Sequence, residues 1–219
     1  DPSLRAIVGQ TRSGFHIDDV MNDGRVLIAN LAKGRIGDGA SMTFGALLTV
    51  LFQLAAYRRV DLPPAHRRPF TLYADEFQTY ATHAFAELLA EGRKFGFAAV
   101  LASQGVGAMD EGFRRTLLGN VGTLATFRLG AEDAHTLGPE FAPMLTAHDL
   151  ANLGRHQAAI RMSIGGVTSE PFTAVTLPPM PVLEDYASVI RRVSRERYGA
   201  ARAKVERQVC AALGADFMR

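Results

Sequence analysis

The chain has 219 residues, of which 47% are hydrophobic and 21% are charged, and its net charge is +2. This length permits one sizeable hydrophobic core with an appendage. A single cysteine, Cys210, excludes an internal disulfide, and the small net charge does not by itself indicate nucleic-acid binding. No run of about 18 uncharged apolar residues is evident, so we expect a soluble, cytoplasmic protein.

Hydrophobic runs alternate with helical periodicity in the first part of the chain, which is typical of an α/β layer structure. Residues 26–31 predict a short buried strand, and the glycine-rich residues 33–39 predict a loop. Ser41 is the predicted N-cap of a helix that ends near Arg59. The apolar side chains at helical spacing in this helix are expected to cover a sheet, and they are Phe44, Leu47, Leu48, Leu51, Phe52 and Ala55.

Strands and helices continue to alternate after a proline-bearing loop at residues 61–69. The continuous apolar runs are typical of strands in a parallel sheet that is covered on both faces. Gly96 is the predicted C-cap of the helix before it. The predicted elements are a strand at 70–74, a helix at 85–95, a strand at 97–102, a helix at 110–119 and a strand at 121–129.

The C-terminal third predicts two short helices, a hairpin and a long basic helix. The helices lie near 131–137 and 146–153, and the hairpin strands at 156–164 and 171–177 flank a turn signal at Gly165-Gly166. The long helix is expected over 183–213, with a break near Gly199. We therefore expect three regions, which are an α/β body at 1–177, a proline-rich linker at 178–182 and a basic helix at 183–219.

Charge is unevenly distributed between these regions. Residues 184–219 contain eight Arg or Lys and five Asp or Glu, so their net charge is +3 and that of the remaining residues is −1. A basic helix of this kind either follows phosphates or a membrane surface, or simply presents a solvated face.

Two carboxylates, Asp75 and Glu76, end the predicted strand at 70–74. The carboxyl edge of a parallel sheet is where α/β folds bind ligands. In a nucleotide hydrolase the first carboxylate, Asp75, holds Mg²⁺ through its water shell, and the second, Glu76, takes a proton from the attacking water. The alternative is an acidic N-terminus of the following helix, which the helix dipole favours.

Two further side chains extend this pattern. The next strand ends at Ser103-Gln104, which places an amide beside the carboxylates if the two strands are neighbours. Gln104 then either senses the γ-phosphate or the water, or is an ordinary polar turn residue. Arg93, near the end of the intervening helix, either satisfies carbonyls at the helix end or reaches a neighbouring subunit as an arginine finger.

Together these motifs resemble the C-terminal ATPase region of TraG/TraD-type coupling proteins of conjugation and type IV secretion, in the HerA–FtsK superfamily. Asp75 lies 18 positions before Arg93, and Gln104 lies 11 positions after it. The resemblance covers roughly residues 20–177. The segments that carry it are residues 30–37, 69–77, 88–96, 101–104 and 120–134.

This resemblance implies a RecA-like P-loop NTPase fold, with a mostly parallel sheet, helices on both faces, a C-terminal hairpin and a long C-terminal helix. It implies that Asp75 is associated with Mg²⁺, Glu76 is the catalytic base, Gln104 is the sensor and Arg93 is a finger acting in trans. Arg128 would be a second phosphate contact, or otherwise an arginine that snorkels from a strand edge.

By the same resemblance, the intact protein would use ATP and Mg²⁺ in a hexameric ring that moves DNA. Its partners would be DNA and relaxosome-like or secretion-system proteins. It would work in the bacterial cytoplasm, at the inner face of the inner membrane, with membrane contact only through parts outside this chain.

One departure from the family concerns the phosphate loop, or Walker A motif. Neither Gly-Lys-Ser nor Gly-Lys-Thr occurs in the sequence, and Lys33 precedes the glycines at 34, 37 and 39 instead of following them. Without a lysine and backbone amides on the phosphates, we expect no turnover by this chain alone. We expect the phosphate loop to be encoded upstream of Asp1. The alternative is a non-catalytic docking module that recognises a partner protein or a DNA-processing complex.

Overall fold

The computed structural model describes the backbone of residues 2–213. The chain divides into two compact units. Unit 1 comprises Asp1–Thr71, Gly92–Ala98 and Val182–Arg219, and unit 2 comprises Leu72–Glu91 and Ala99–Pro181. The last residues of the predicted basic helix, 214–219, lie outside the described part. The three regions expected from the sequence stay a prediction.

Helices and short strands alternate along the chain, as expected for the α/β class. The helices are α1 Pro2–Val8, α2 Ile17–Asn22, α3 Lys33–Ile36, α4 Asp38–Arg58, α5 His83–Glu91, α6 Glu111–Asn120, α7 Ala131–Phe141, α8 Ala147–Ala151, α9 Ala187–Tyr198 and α10 Arg202–Leu213. The strands are β1 Phe70–Ala74, β2 Phe97–Leu101, β3 Thr123–Thr126, β4 Gln157–Ile164, β5 Val167–Thr168 and β6 Phe172–Val175.

Within residues 2–213, the strands form two small sheets instead of one large, mostly parallel sheet. β1 and β2 pair with each other. Two hydrogen bonds show that they are parallel: the Phe70 N–H donates to the Gly96 carbonyl at one end, and the Ala102 N–H donates to the Ala74 carbonyl at the other. In the second sheet β4 pairs antiparallel with β3, β5 and β6. The mixed α/β class is therefore confirmed, and so is the hairpin, whose turn residues Gly165 and Gly166 have φ of 60° and 84°.

The predicted strand at 26–31 is wrong. The segment has no strand structure and none of its side chains is buried, with Val26 88% and Ile28 77% exposed. An apolar run becomes a strand only where another strand supplies hydrogen-bond partners, and the described residues supply none for it.

The start of α4 also differs from the prediction. Gly37, with φ of 83°, turns the chain between the short helix α3 and α4, so residues 33–36 are helical instead of a loop. Ser41 therefore lies inside α4, where its hydroxyl donates to the Leu31 carbonyl at 2.6 Å, and it is not the N-cap. The predicted end near Arg59 is confirmed.

Helix α4 carries apolar residues on more than one face. Phe44, Phe52 and Ala55 are buried, whereas Leu47 and Leu51 are exposed. The region Asp38–Asp61 is long and apolar enough, by length and composition alone, to cross a membrane, and half of its most apolar window is buried. The sequence-based exclusion of such a segment is thus corrected, although core helices of soluble proteins meet the same criterion.

A buried arginine organises the polar interior of unit 1. The side chain of Arg59 is 1% exposed; its Nε donates to Asn22 Oδ1, and its Nη1 donates to the carbonyls of Arg68 and Phe95, all at 2.9 Å. Burial, followed by the charge of Arg67, lowers the pKa of Arg59. These bonds join the end of α4 to α2 and to the segments that lead into β1 and β2.

Unit 2 has an apolar cluster built mainly from α7, α8 and β4. Its buried members are Ala134, Leu137, Phe141, Leu150, Leu153 and Ala159. The rings of Phe77, Phe85 and Phe113 form a second group, with centroids 6.1 to 6.4 Å apart. In the C-terminal region, α9 and α10 are separated near Gly199, as predicted.

Candidate functional site

The ends of the two parallel strands bring Glu76 and Gln104 together. Ala102 donates to the Ala74 carbonyl at 2.9 Å, and Phe77 donates to the Ala102 carbonyl at 3.3 Å, so the chains remain side by side beyond the strands. Gln104 Nε2 donates to Glu76 Oε1 at 2.9 Å. The amide thus lies beside the carboxylate, as the sequence predicted for neighbouring strands.

Glu76 has a left-handed backbone, with φ of 49° and ψ of 37°. This conformation costs a residue with a Cβ atom roughly 1–2 kcal/mol, and such strain is concentrated at functional sites. Local hydrogen bonds hold it in place, because Thr79 donates to the Glu76 carbonyl through both its N–H and its hydroxyl, each at 3.0 Å. The Glu76 N–H itself donates to Asp75 Oδ1 at 3.0 Å.

The carboxylates do not cap the helix that follows them. The N-cap of α5 is Thr82, whose hydroxyl accepts from the Phe85 N–H at 3.2 Å. Glu76 precedes only a short 3-10 turn, Phe77–Thr79, and its side chain makes no capping hydrogen bond there. The acidic N-terminus considered as an alternative role is therefore not what the structure shows.

Both oxygens of the Glu76 carboxylate accept an amide hydrogen bond. Gln104 binds Oε1, and Gln78 Nε2 donates to Oε2 at 2.8 Å. An ionised carboxylate offers about four lone-pair sites, so acceptor capacity remains for a water molecule. The two amides fix the orientation of a half-buried carboxylate that is still able to receive a proton.

Gln78 and Tyr80 were not identified from the sequence. Tyr80 Oη donates to the Asp75 carbonyl at 3.0 Å. Burial, and after it the charges of Asp75 and Glu76, raise the pKa of the Tyr80 hydroxyl, which keeps it protonated as a donor. Their closeness to Glu76 in sequence was the one available signal, and it does not reveal a hydrogen bond.

The loop after Gln104 is anchored by Asp133, a residue of the first turn of α7. Asp133 Oδ1 accepts from the N–H groups of Val106 and Gly107 at 3.0 and 2.8 Å. A Cβ atom on Gly105 would lie 2.5 Å from Asp133 Oδ2, so any larger residue here would displace the Asp133 carboxylate. Asp133 belongs to residues 120–134, one of the segments that resemble the coupling-protein family, but the sequence did not predict these contacts.

The two arginines of the predicted site are not among the residues that hydrogen-bond to Glu76. Arg93 belongs to unit 1, in the 3-10 turn Gly92–Phe95, and its side chain is exposed. Arg128 belongs to unit 2, two residues after β3 ends, and is exposed in a cleft of its own. The hydrogen-bonded group at the strand ends is therefore formed by residues of unit 2 alone.

The donor set at the strand ends fits a metal ion that arrives with a nucleotide. Within residues 2–213, no three His, Cys, Asp or Glu side chains form a metal-binding group. Mg²⁺ is usually held by one or two carboxylates together with substrate phosphates and water. The exposed carboxylate of Asp75 fits that arrangement and does not make a protein-only metal site.

Comparisons with known proteins give a fold but no family. No protein-family model matches the chain, and no curated protein matches its sequence. Among solved structures, the bacterial conjugative coupling protein TrwBdeltaN70, in an unbound monoclinic form, matches with a TM-score of 0.52 and 13% identity. The match covers 63% of this chain and 37% of that one, so the chain spans little more than a third of that structure. Over the matched part, the chain has a fold similar to that of a conjugative coupling protein.

Proposed function

We propose that this chain supplies the Walker B and sensor half of an ATP-driven, DNA-translocating motor of the conjugative coupling protein type. The observation that supports it most is the 2.9 Å hydrogen bond from the Gln104 amide to the Glu76 carboxylate, at the ends of adjacent parallel strands. The fold similarity to a coupling protein adds independent support.

In this proposal Glu76 accepts the proton of the water that attacks ATP. Its carboxylate is held by two amides, and a fixed base within reach of the reacting water contributes roughly 10²–10⁴-fold to a rate. Gln104, bonded to the same carboxylate, senses the presence of the γ-phosphate or of that water. Asp75 would hold Mg²⁺ through its water shell, and the ion would supply positive charge to the phosphates of ATP.

The remaining parts of the motor lie outside this group. Arg93 is exposed, as an arginine that acts on the nucleotide of a neighbouring subunit in a hexameric ring must be. Arg128 serves as a further phosphate contact. The proposed motor requires a phosphate loop that these 219 residues do not contain. Its partners are DNA and relaxosome-like or secretion-system proteins at the inner face of the bacterial inner membrane.

The test is the DNA-stimulated ATPase activity of the intact protein with Glu76→Gln. We expect kcat to fall about 100-fold or more, because the amide cannot accept the proton. Glu170→Gln, an exposed glutamate outside the site, is the matched control and should leave the rate unchanged. A Glu76→Gln enzyme with normal kcat would refute the catalytic assignment and favour a non-catalytic docking module.

The role of Arg93 is tested in mixed rings. Subunits with Arg93→Ala are combined with subunits carrying Glu76→Gln, and mixing is verified before activity is measured. If the arginine acts in trans, some interfaces combine an intact arginine with an intact glutamate, and part of the activity returns. The absence of any recovery in verified mixed rings counts against the assignment.

A further inference from the structure

A basic cleft of about 550 Å³ lies in unit 2. None of its lining residues belongs to the group around Glu76. The cleft is lined by Phe127, Arg128, Gly154, Arg155 and His156. The first two residues follow β3, and the last three precede β4. Because β3 and β4 are antiparallel, with Thr126 opposite Ala159, the end of one strand and the start of the other meet at the same edge. The size is within the usual range of small-ligand clefts.

The turn that carries Arg155 and His156 is held firmly. Gly154 N–H donates to Gln157 Oε1 at 2.8 Å, and Gln157 N–H donates to the Gly154 carbonyl at 3.1 Å. His156 has φ of 65°, an uncommon left-handed conformation for a residue with a side chain, and its carbonyl accepts from the Thr176 N–H at 2.8 Å. The backbone therefore fixes the positions from which the side chains of Arg155 and His156 enter the lining of the cleft.

These side chains lack the partners that a structural role would give them. Within residues 2–213, the side chains of Arg128, Arg155 and His156 make no hydrogen bond or ion pair, and all three are exposed. By contrast Arg161, further along β4, pairs with Glu140 at 2.8 Å. The lining contains two guanidinium groups and no carboxylate, and like charges gathered in one cleft repel each other unless an anion joins them.

The chemistry of the lining selects the anion. Arginine presents a planar fork of donors that matches phosphate oxygens, and two arginines from different segments can bind one phosphate or two successive ones. Beside them the ring of Phe127 is 57% exposed, which offers an apolar face of the kind on which nucleic-acid bases stack.

We infer that this cleft binds a nucleotide unit, with its phosphate on Arg128 and Arg155 and its base against Phe127. The shared chemistry, a phosphate next to a planar base, comes from either a single-stranded nucleic acid or a free nucleotide. The inference rests on the proposed function in one respect, the phosphate contact of Arg128, and extends it to Arg155 and Phe127. It does not require hydrolysis, since it depends on the charges of the cleft and not on Glu76.

The test measures binding of two fluorescent probes to the 219-residue chain by anisotropy over a series of salt concentrations. One probe is a labelled single-stranded oligodeoxynucleotide, and the other is a labelled ADP. The double variant Arg128→Gln/Arg155→Gln should weaken binding of at least one probe about tenfold or more, because two charge-assisted contacts are lost. For the oligonucleotide, the slope of log affinity against log salt should also become shallower by about 0.7 for each lost phosphate contact.

The matched control removes the same charge from another exposed surface. Arg191→Gln/Arg195→Gln lies on α9, within the basic C-terminal region. Phe127→Leu keeps the charge of the cleft and should weaken oligonucleotide binding several-fold if the base stacks on the ring. Circular dichroism confirms that each variant is folded, which is expected because the substituted side chains are exposed.

The outcomes separate the two sources. Loss of oligonucleotide binding in the cleft variant identifies a nucleic-acid strand, and loss confined to ADP identifies a free nucleotide. The inference is overturned if the unsubstituted chain binds neither probe, if the cleft variant binds both normally, or if the α9 control weakens binding as much. A normal ATPase rate with Glu76→Gln would leave it untouched, so the two proposals fail separately.

Discussion

Replacing Asp133 by alanine is expected to destabilise the protein by about 2–3 kcal/mol. One carboxylate oxygen accepts from two backbone N–H groups, those of Val106 and Gly107, at 3.0 and 2.8 Å. A hydrogen bond to a charged group contributes roughly 1.5–3 kcal/mol where water is excluded. Val106 is only partly exposed and Gly107 is exposed, so water replaces much of the second bond, and the sum remains near the value of a single strong one.

The assay is urea denaturation followed by circular dichroism, with Glu132→Ala as the matched control. Glu132 occupies the same first turn of α7, and its removal deletes the same charge near the same helix N-terminus. The difference between the two alanine variants therefore isolates the hydrogen bonds. Asp133→Asn keeps an oxygen acceptor and should lose less stability. Equal midpoints for the Asp133→Ala and Glu132→Ala variants would refute the reasoning.

A second substitution examines the same contact from the other side. Gly105→Ala would place a methyl group 2.5 Å from Asp133 Oδ2, so it should destabilise the protein while Asp133 is present. In the Asp133→Ala background the methyl group has space, and its cost should fall. A cost that is the same in both backgrounds contradicts the close packing of the two groups.

Two other predictions concern stability. Arg59→Ala should lower the free energy of unfolding by about 2–4 kcal/mol, because three hydrogen bonds are lost in the interior. The control Arg58→Ala breaks one exposed ion pair and should lower it by less than about 1 kcal/mol. Similar losses for the two variants in chemical denaturation would contradict the role assigned to Arg59. Hydrogen bonds from Thr146 lower the pKa of Asp149 in the folded protein. The Asp149 carboxylate therefore stabilises the fold at pH values above its ordinary pKa of about 4. This stabilisation is lost as the pH falls through the pKa of the folded protein. Asp149→Asn should therefore reduce the fall in Tm on acidification, and an unchanged fall would exclude this group as its source.

Elements with local sequence signals could be predicted well. The strand at 70–74 and the helix at 110–119 agree with β1 and α6, and Asp110 caps that helix by accepting from the Phe113 N–H at 3.0 Å. The Gly165-Gly166 signal marks a real turn because both residues have positive φ. In each case the residues that set the conformation lie within a few positions of it.

Elements that depend on partners far away in the sequence could not be predicted. Residues 26–31 have the composition of a buried strand, but pairing depends on backbone groups elsewhere in the chain, and none meets them in the described structure. The helical period of α4 likewise predicted one buried face, whereas Leu47 and Leu51 are exposed. Periodicity gives the direction of side chains around a helix and not which faces are covered.

The sequence predicts which residues meet at the candidate site only if it also predicts which strands are neighbours. The proximity of Glu76 and Gln104 follows once β1 and β2 are neighbours, because both residues come just after strands that run in the same direction. The left-handed backbone of Glu76 and the amide of Gln78 could not be predicted, since they depend on the shape of the turn. The convergence of Arg128 and Arg155 required the antiparallel pairing of β3 with β4.

Two carboxylates restrain Gln104 and the loop that follows it. Glu76 accepts from the side-chain amide of Gln104, while Asp133 accepts from the backbone N–H groups two and three residues later. The Asp133 contacts fix the backbone of the loop, so a response of Gln104 to a bound phosphate requires either a change of its own side-chain rotamer or a movement of α7 together with the loop. The first changes only the contact with Glu76, whereas the second also disturbs the apolar cluster to which α7 contributes Ala134 and Leu137. Because that cluster is closely packed, the side-chain movement costs less, and a sensor at position 104 is expected to work through its rotamer.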